Sequence, residues 1–214
     1  WTEVNLKAAT TAARGEADLA RELLMLADAD PETGRAEAGG LFAAGNSAEI
    51  AEAWISQGVD WSRAALIACI DEIFTAAMQN AVPIPGGTKV IKSLSAQGYV
   101  MGIASSDSAA AIKVFLDHAG LTENFVFIDG YDSGHGHKPD PTALLAFAEE
   151  LGLAPHEVAM VGDNIQDLQL GRDSGAGRVI GVLSGTGREQ DLSPLATDIL
   201  PDISHLGRFF IDFV

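Results

Sequence analysis

Two rhythms of apolar and polar positions divide the chain. Over residues 1–82 the pattern is helical throughout. Ala, Leu and Glu dominate residues 8–27, where Leu19, Leu23, Leu24 and Leu26 supply an apolar stripe. Asp30-Pro31-Glu32-Thr33-Gly34 has the composition of a turn. Asn46 followed by Glu49 has the spacing of a capping box, and Ile50 and Trp54 then repeat at helical intervals. A further helix carries Leu66, Ile70, Ile73, Phe74 and Met78 in steps of three and four. No run in this half reads as a strand.

The rhythm changes at Pro83-Ile84-Pro85-Gly86-Gly87, after which short β-rich runs alternate with helical ones. Strands are predicted over 99–104, 125–128, 158–161 and 179–183, with a last short pair of elements near Ile199 and Leu206. Between them lie helices carrying Val90, Ile91 and Leu94, then Ile112, Phe115 and Leu116, then Leu144, Leu145, Phe147 and Leu151, and one from about Ile165. Gly98 and Gly120 stop the first two, and Pro141 suits a first helical position. Strand and helix alternating at this spacing imply right-handed crossovers and a parallel sheet clothed on both faces. Continuous rather than alternating apolar strands agree with that burial. The expected architecture is therefore a doubly wound α/β module over 83–214, preceded by a helical module over 1–82.

Composition narrows the classes. Of 214 residues 47% are apolar and 20% charged, the balance of a globular chain. Thirteen Lys and Arg against thirty Asp and Glu give a net charge of −17, which argues against nucleic acid and anionic membranes as partners. The single Cys69 excludes an internal disulfide framework and suits a reducing compartment. No apolar run approaches the ~18 residues of a membrane helix, and no secretory leader opens the chain. A cytoplasmic monomer or homodimer is expected. The start at Trp1-Thr2-Glu3, without an initiator Met, leads us to expect further sequence upstream.

In an open parallel sheet, ligands bind beyond the carboxyl ends of the strands. Ser105, Ser106 and Asp107 follow the first predicted strand. Lys138 follows the second after the loop Asp132-Ser133-Gly134-His135-Gly136-His137. Gly162, Asp163 and Asn164 follow the third, with Asp167 four residues past Asp163. Hydroxyls with free N–H groups, a lysine and two carboxylates match a phosphate accompanied by a divalent cation. Each piece also has an ordinary reading, as a helix cap, a solvated lysine or a turn. Two carboxylates four apart on one helical face repel unless a cation lies between them. The convergence of three strand ends outweighs the ordinary readings.

Ile103-Ala104-Ser105-Ser106, Lys138-Pro139-Asp140-Pro141 and Val161-Gly162-Asp163-Asn164-Ile165-Gln166-Asp167 together resemble the second, third and fourth motifs of the haloacid dehalogenase-like hydrolase superfamily. The likeness is to its phosphoglycolate phosphatase-like branch with a helical cap, and it covers residues 83 to about 200. It implies a Rossmann-like core beneath that cap and Mg²⁺-dependent hydrolysis of a small phosphorylated metabolite. By the same resemblance, Ser105 and the N–H of Ser106 hold the transferring phosphoryl group and Lys138 neutralises it. Asp163 ligates Mg²⁺, Asp167 ligates it or orients its shell, and Asn164 is a weaker addition to the set. A phosphosugar mutase shares these motifs, whereas a dehalogenase needs no Mg²⁺ and leaves the aspartate pair unexplained. A phosphate-binding protein without a nucleophile is the alternative from another class.

The family's first motif, a strand followed by Asp-x-Asp, supplies the nucleophile and has no convincing copy here. Leu23-Leu24-Met25-Leu26-Ala27-Asp28-Ala29-Asp30 ends in Asp-x-Asp, but Pro31 removes an N–H that a phosphate loop needs, and the leucines fit a helix. The expectation is that the central first strand, with its aspartate, lies upstream of Trp1 and that its two neighbours are not paired with each other. His135 and His137, at i and i+2 beside Lys138, are read as loop residues. Ser184-Gly185-Thr186-Gly187 lacks the lysine of a phosphate loop and is read as a turn.

Overall fold

The computed structural model describes residues 1–210. Five helices come first: α1 (Thr2–Ala12), α2 (Ala17–Leu26), α3 (Leu41–Ala44), α4 (Ser47–Ser56) and α5 (Arg63–Met78). Then follow α6 (Gly87–Ala96), β1 (Gly102–Ala104), α7 (Ala109–Ala119), β2 (Phe127–Asp129), α8 (Thr142–Leu151) and β3 (Ala159–Gly162). The chain continues through α9 (Ile165–Asp173), β4 (Arg178–Val182), α10 (Glu189–Leu192), β5 (Asp198–Leu200) and α11 (Gly207–Phe210).

Local chemistry sets these boundaries. The capping box at α4 forms: Asn46 Oδ1 accepts from the N–H groups of Ala48 and Glu49 at 3.0 and 3.1 Å, while Glu49 Oε2 accepts from Asn46 N at 2.9 Å. Ser62 and Ser108 cap α5 and α7 through their hydroxyls, and Gly120 and Gly152 end α7 and α8 in the left-handed conformation. The helical pattern over 8–27 divides in two, because Arg14 and Gly15 have φ of 51° and 84°, a backbone that cannot continue a right-handed helix.

Apolar burial separates along the chain. One cluster draws on residues between Val4 and Phe74, with Trp54 wholly buried and its Nε1–H donating to Leu23 O at 2.9 Å. The others draw on residues between Val90 and Phe210, around Leu116, Ile180, Leu168 and Leu170. Helix α5 of the first group lies on α7 of the second.

The strands are parallel, as expected, and fall into two sheets. β1 pairs with β2, Ile103 opposite Ile128; β3 pairs with β4, and β4 with β5, Val161 opposite Ile180 and Gly181 opposite Ile199. β1 and β3 are not paired with each other, so each keeps one edge without a backbone partner among the described residues.

Candidate active site

Three strand ends deliver polar groups to one cleft of about 1250 Å³, larger than the few hundred Å³ common for small-molecule sites. Its lining includes Ser105, Ser106, Lys138, Asp163, Asn164 and Asp167. All five side chains singled out from the motifs, with the weaker Asn164, thus face a single space.

Their bonds are specific. Ser105 N donates to Asp129 O at 2.9 Å, and Ser105 Oγ accepts from Asp107 N at 3.1 Å. Neither serine caps α7, a role taken by Ser108. Lys138 Nζ lies 2.7 Å from Asp167 Oδ1, with 16% and 7% of the two side chains exposed. Asp167 Oδ2 accepts from the N–H groups of Asp163 and Asn164 at 3.1 and 3.0 Å. A side chain at position 162 would fall on Asp167, so glycine is required for this close approach.

Both oxygens of Asp167 are thereby occupied, one by a lysine and the other by two backbone donors. In this arrangement Asp167 holds Lys138 and the N–H groups of the Asp163 loop. Asp163 Oδ2 accepts from Thr186 N at 3.0 Å and has no ion-pair partner among the described residues. Burial raises the pKa of Asp163 above the ordinary carboxylate value, the Thr186 N–H opposes this, and the neighbouring Asp167 adds to it. No group of three or more His, Cys, Asp or Glu side chains that could hold a metal ion occurs among the described residues. The Asp-x-Asp at 28–30 follows helix α2, not a strand, and Asp30 Oδ1 is taken up by the N–H groups of Glu32 and Thr33.

Several participants escaped the sequence reading. His135 is more than a loop residue: its Nδ1 lies 2.7 Å from Oδ1 of the buried Asp129, pinning the loop that carries Lys138 to the end of β2. The turn at 184–187 does form, yet it also clamps Asp163, since Gly187 N donates to Asp163 O at 3.0 Å alongside the Thr186 contact. Its Gly-Thr-Gly composition was the available signal. Tyr131 donates its hydroxyl proton to Asp71 Oδ2 at 2.7 Å, and burial followed by that bond raises the tyrosine pKa. Nothing in sequence marks a pair sixty residues apart.

A parallel α/β core that gathers hydroxyls, a lysine and a carboxylate beyond its strand ends has its polar cleft where folds of this class place their ligands. Residues 42–182 match the family model described as haloacid dehalogenase-like hydrolase, and the chain belongs to that family. It is 28% identical over 130 residues to a phosphoglycolate phosphatase of Rhodospirillum rubrum, an alignment covering 61% of this chain and 54% of that one. The chain thus spans about half the length of the curated relatives it matches. Its fold is similar to CbbY of Rhodobacter sphaeroides in complex with phosphate, at a TM-score of 0.72 and 18% identity over 96% of this chain and 89% of that one. It is also similar to a putative β-phosphoglucomutase of Thermotoga maritima, at 0.68 and 15% over 99% and 93%. Identities this low speak for the fold alone. Among the described residues no helix is long and apolar enough to cross a membrane.

Proposed function

We propose that this protein hydrolyses a small phosphate monoester, a phosphorylated metabolite of the phosphoglycolate type. The observation that carries the reading is the meeting of Ser105, Lys138 and Asp163 in one cleft, from three strand ends separated in sequence. Ser105 Oγ and the N–H of Ser106 donate to the phosphoryl oxygens, and Lys138 offsets their charge as a point cation. Phosphoryl transfer rests mainly on positioning and electrostatics, which such donors provide.

The donor set fits Mg²⁺. Asp163 is an oxygen ligand short of positive charge, and this ion takes one or two carboxylates together with waters and phosphate oxygens. When bound, Mg²⁺ supplies further neutralisation of the phosphoryl oxygens. The nucleophile of this reading is an aspartate on a strand outside the described residues, set between β1 and β3. It attacks phosphorus in line and breaks the P–O bond to the substrate alcohol, which leaves with a proton; water then attacks the aspartyl-phosphate, releasing inorganic phosphate and restoring the carboxylate. The unpartnered edges of β1 and β3 support that placement, because backbone groups at such edges demand partners. Residues 1–82 act as a cap that shields the site and selects the leaving group, over a core that begins at residue 83.

Asp163→Asn in the full-length protein tests the assignment. Mg²⁺-dependent turnover of a generic aryl phosphate is expected to fall at least ~100-fold, as for loss of a principal electrostatic contact. Turnover at the parental rate would refute the role of Asp163.

A further inference from the structure

Helix α3 is a single turn, and its last carbonyls have no partner within the helix. Their donors come from the other half of the chain. Ser106 Oγ donates to Ala44 O at 3.0 Å, and Asn164 Nδ2 donates to Ala43 O at 3.1 Å. Asn164 is buried, and the same Nδ2 also donates to Thr186 Oγ1 at 3.2 Å. The backbone N–H of Thr186 is the group that binds Asp163 Oδ2. A continuous path therefore runs from the Ala43 carbonyl through the Asn164 amide and Thr186 to the Asp163 carboxylate.

We infer that Asn164 is a positioning residue that couples the seating of the helical module to the orientation of Asp163. An amide nitrogen has two protons, and here one is spent on each side of the seam. With α3 seated, both protons are fixed, the Thr186 hydroxyl is held, and the turn presents its N–H to Asp163. When α3 withdraws, Asn164 loses one acceptor at a buried position and can turn away from Thr186, so the clamp on Asp163 loosens. Outer contacts of this kind orient a metal-binding carboxylate as surely as direct contacts do. The consequence for catalysis rests on the phosphatase reading; the coupling itself does not. Closure of the cleft would then complete the site rather than merely cover it.

The test needs neither substrate nor metal. In the full-length protein with Cys69→Ser, spin labels at the exposed positions Ser56→Cys and Glu150→Cys report the distance between the two halves. The amide-proton chemical shift of Thr186 reports its hydrogen bond to Asp163. Asn164→Ala is expected to lengthen and broaden the distance distribution and to move the Thr186 amide proton upfield, both in one variant. Thr186→Val keeps the Ala43 bond and the shape of the side chain. It is expected to leave the distance unchanged while its own amide proton at position 186 moves upfield. Asn164→Asp, which lacks the amide protons, is expected to behave as Asn164→Ala does. A role in packing alone would lower the melting temperature and leave both readouts at parental values, which would overturn the inference. A change in only one readout for Asn164→Ala would overturn the coupling as well. Loss of turnover in Asp163→Asn bears on the phosphatase reading and is scored apart from these measurements.

Discussion

Lys138 and Asp167 illustrate how residue type and placement act together at the site. A lysine with most of its side chain out of solvent is tolerated because a carboxylate lies 2.7 Å away, and that carboxylate is in turn held by two backbone N–H groups. Removing one member leaves the other charged and buried. Lys138→Met is therefore expected to destabilise the protein by roughly 3 kcal/mol in urea unfolding, the cost of breaking a buried pair. Adding Asp167→Asn should recover part of that loss, since the amide oxygen still accepts from the Asp163 and Asn164 N–H groups. An unchanged unfolding midpoint in Lys138→Met would mean that the pair adds nothing to stability.

Most elements were legible because each begins or ends with chemistry readable one residue at a time. Asn46 with Glu49 announced α4, and Gly120 announced the end of α7. Strand positions were also legible, but the structure shortens the run at 99–104 to Gly102–Ala104. Apolar composition marks burial, whereas a strand's length depends on its hydrogen-bonded neighbour. The turn at 184–187 was recognised as a turn, yet its purpose was hidden, because its contacts are with another loop. A β-carbon at position 185 would land on the Asp163 carboxylate. Gly185→Ala is accordingly expected to displace that carboxylate and to lower turnover by about tenfold or more, the scale of a disturbed supporting contact. Circular dichroism should remain that of the parent, because the residue lies outside every helix and strand. Parental turnover in that variant would show that the clamp on Asp163 is dispensable.

At the scale of the whole molecule, charge and burial combine in the dependence of stability on pH. Desolvation raises the pKa of Asp107, with the Ser105 hydroxyl and Lys138 opposing and Asp71 adding to the rise. A carboxyl whose folded-state pKa is raised favours folding in its protonated form. Its contribution is present below the unfolded value of 3.8 and is lost as pH rises through the folded value. Asp163 acts in the same direction. Asp107→Asn removes one such group, so the drop in melting temperature as pH rises above 3.8 should be smaller in the variant than in the parent. An equal drop in both would exclude Asp107 as a contributor. The sequence by itself determined the class of the fold, the change of architecture near Pro83 and the set of phosphate- and cation-competent side chains, because periodicity, capping and residue chemistry are local properties. Only the tertiary structure decided that Asp167 serves Lys138, that the turn at 184–187 holds Asp163, and that Asn164 and Ser106 satisfy the carbonyls of α3. Hydrogen bonds between groups 23 to 121 residues apart are fixed by how the modules pack, and no spacing along the chain encodes that.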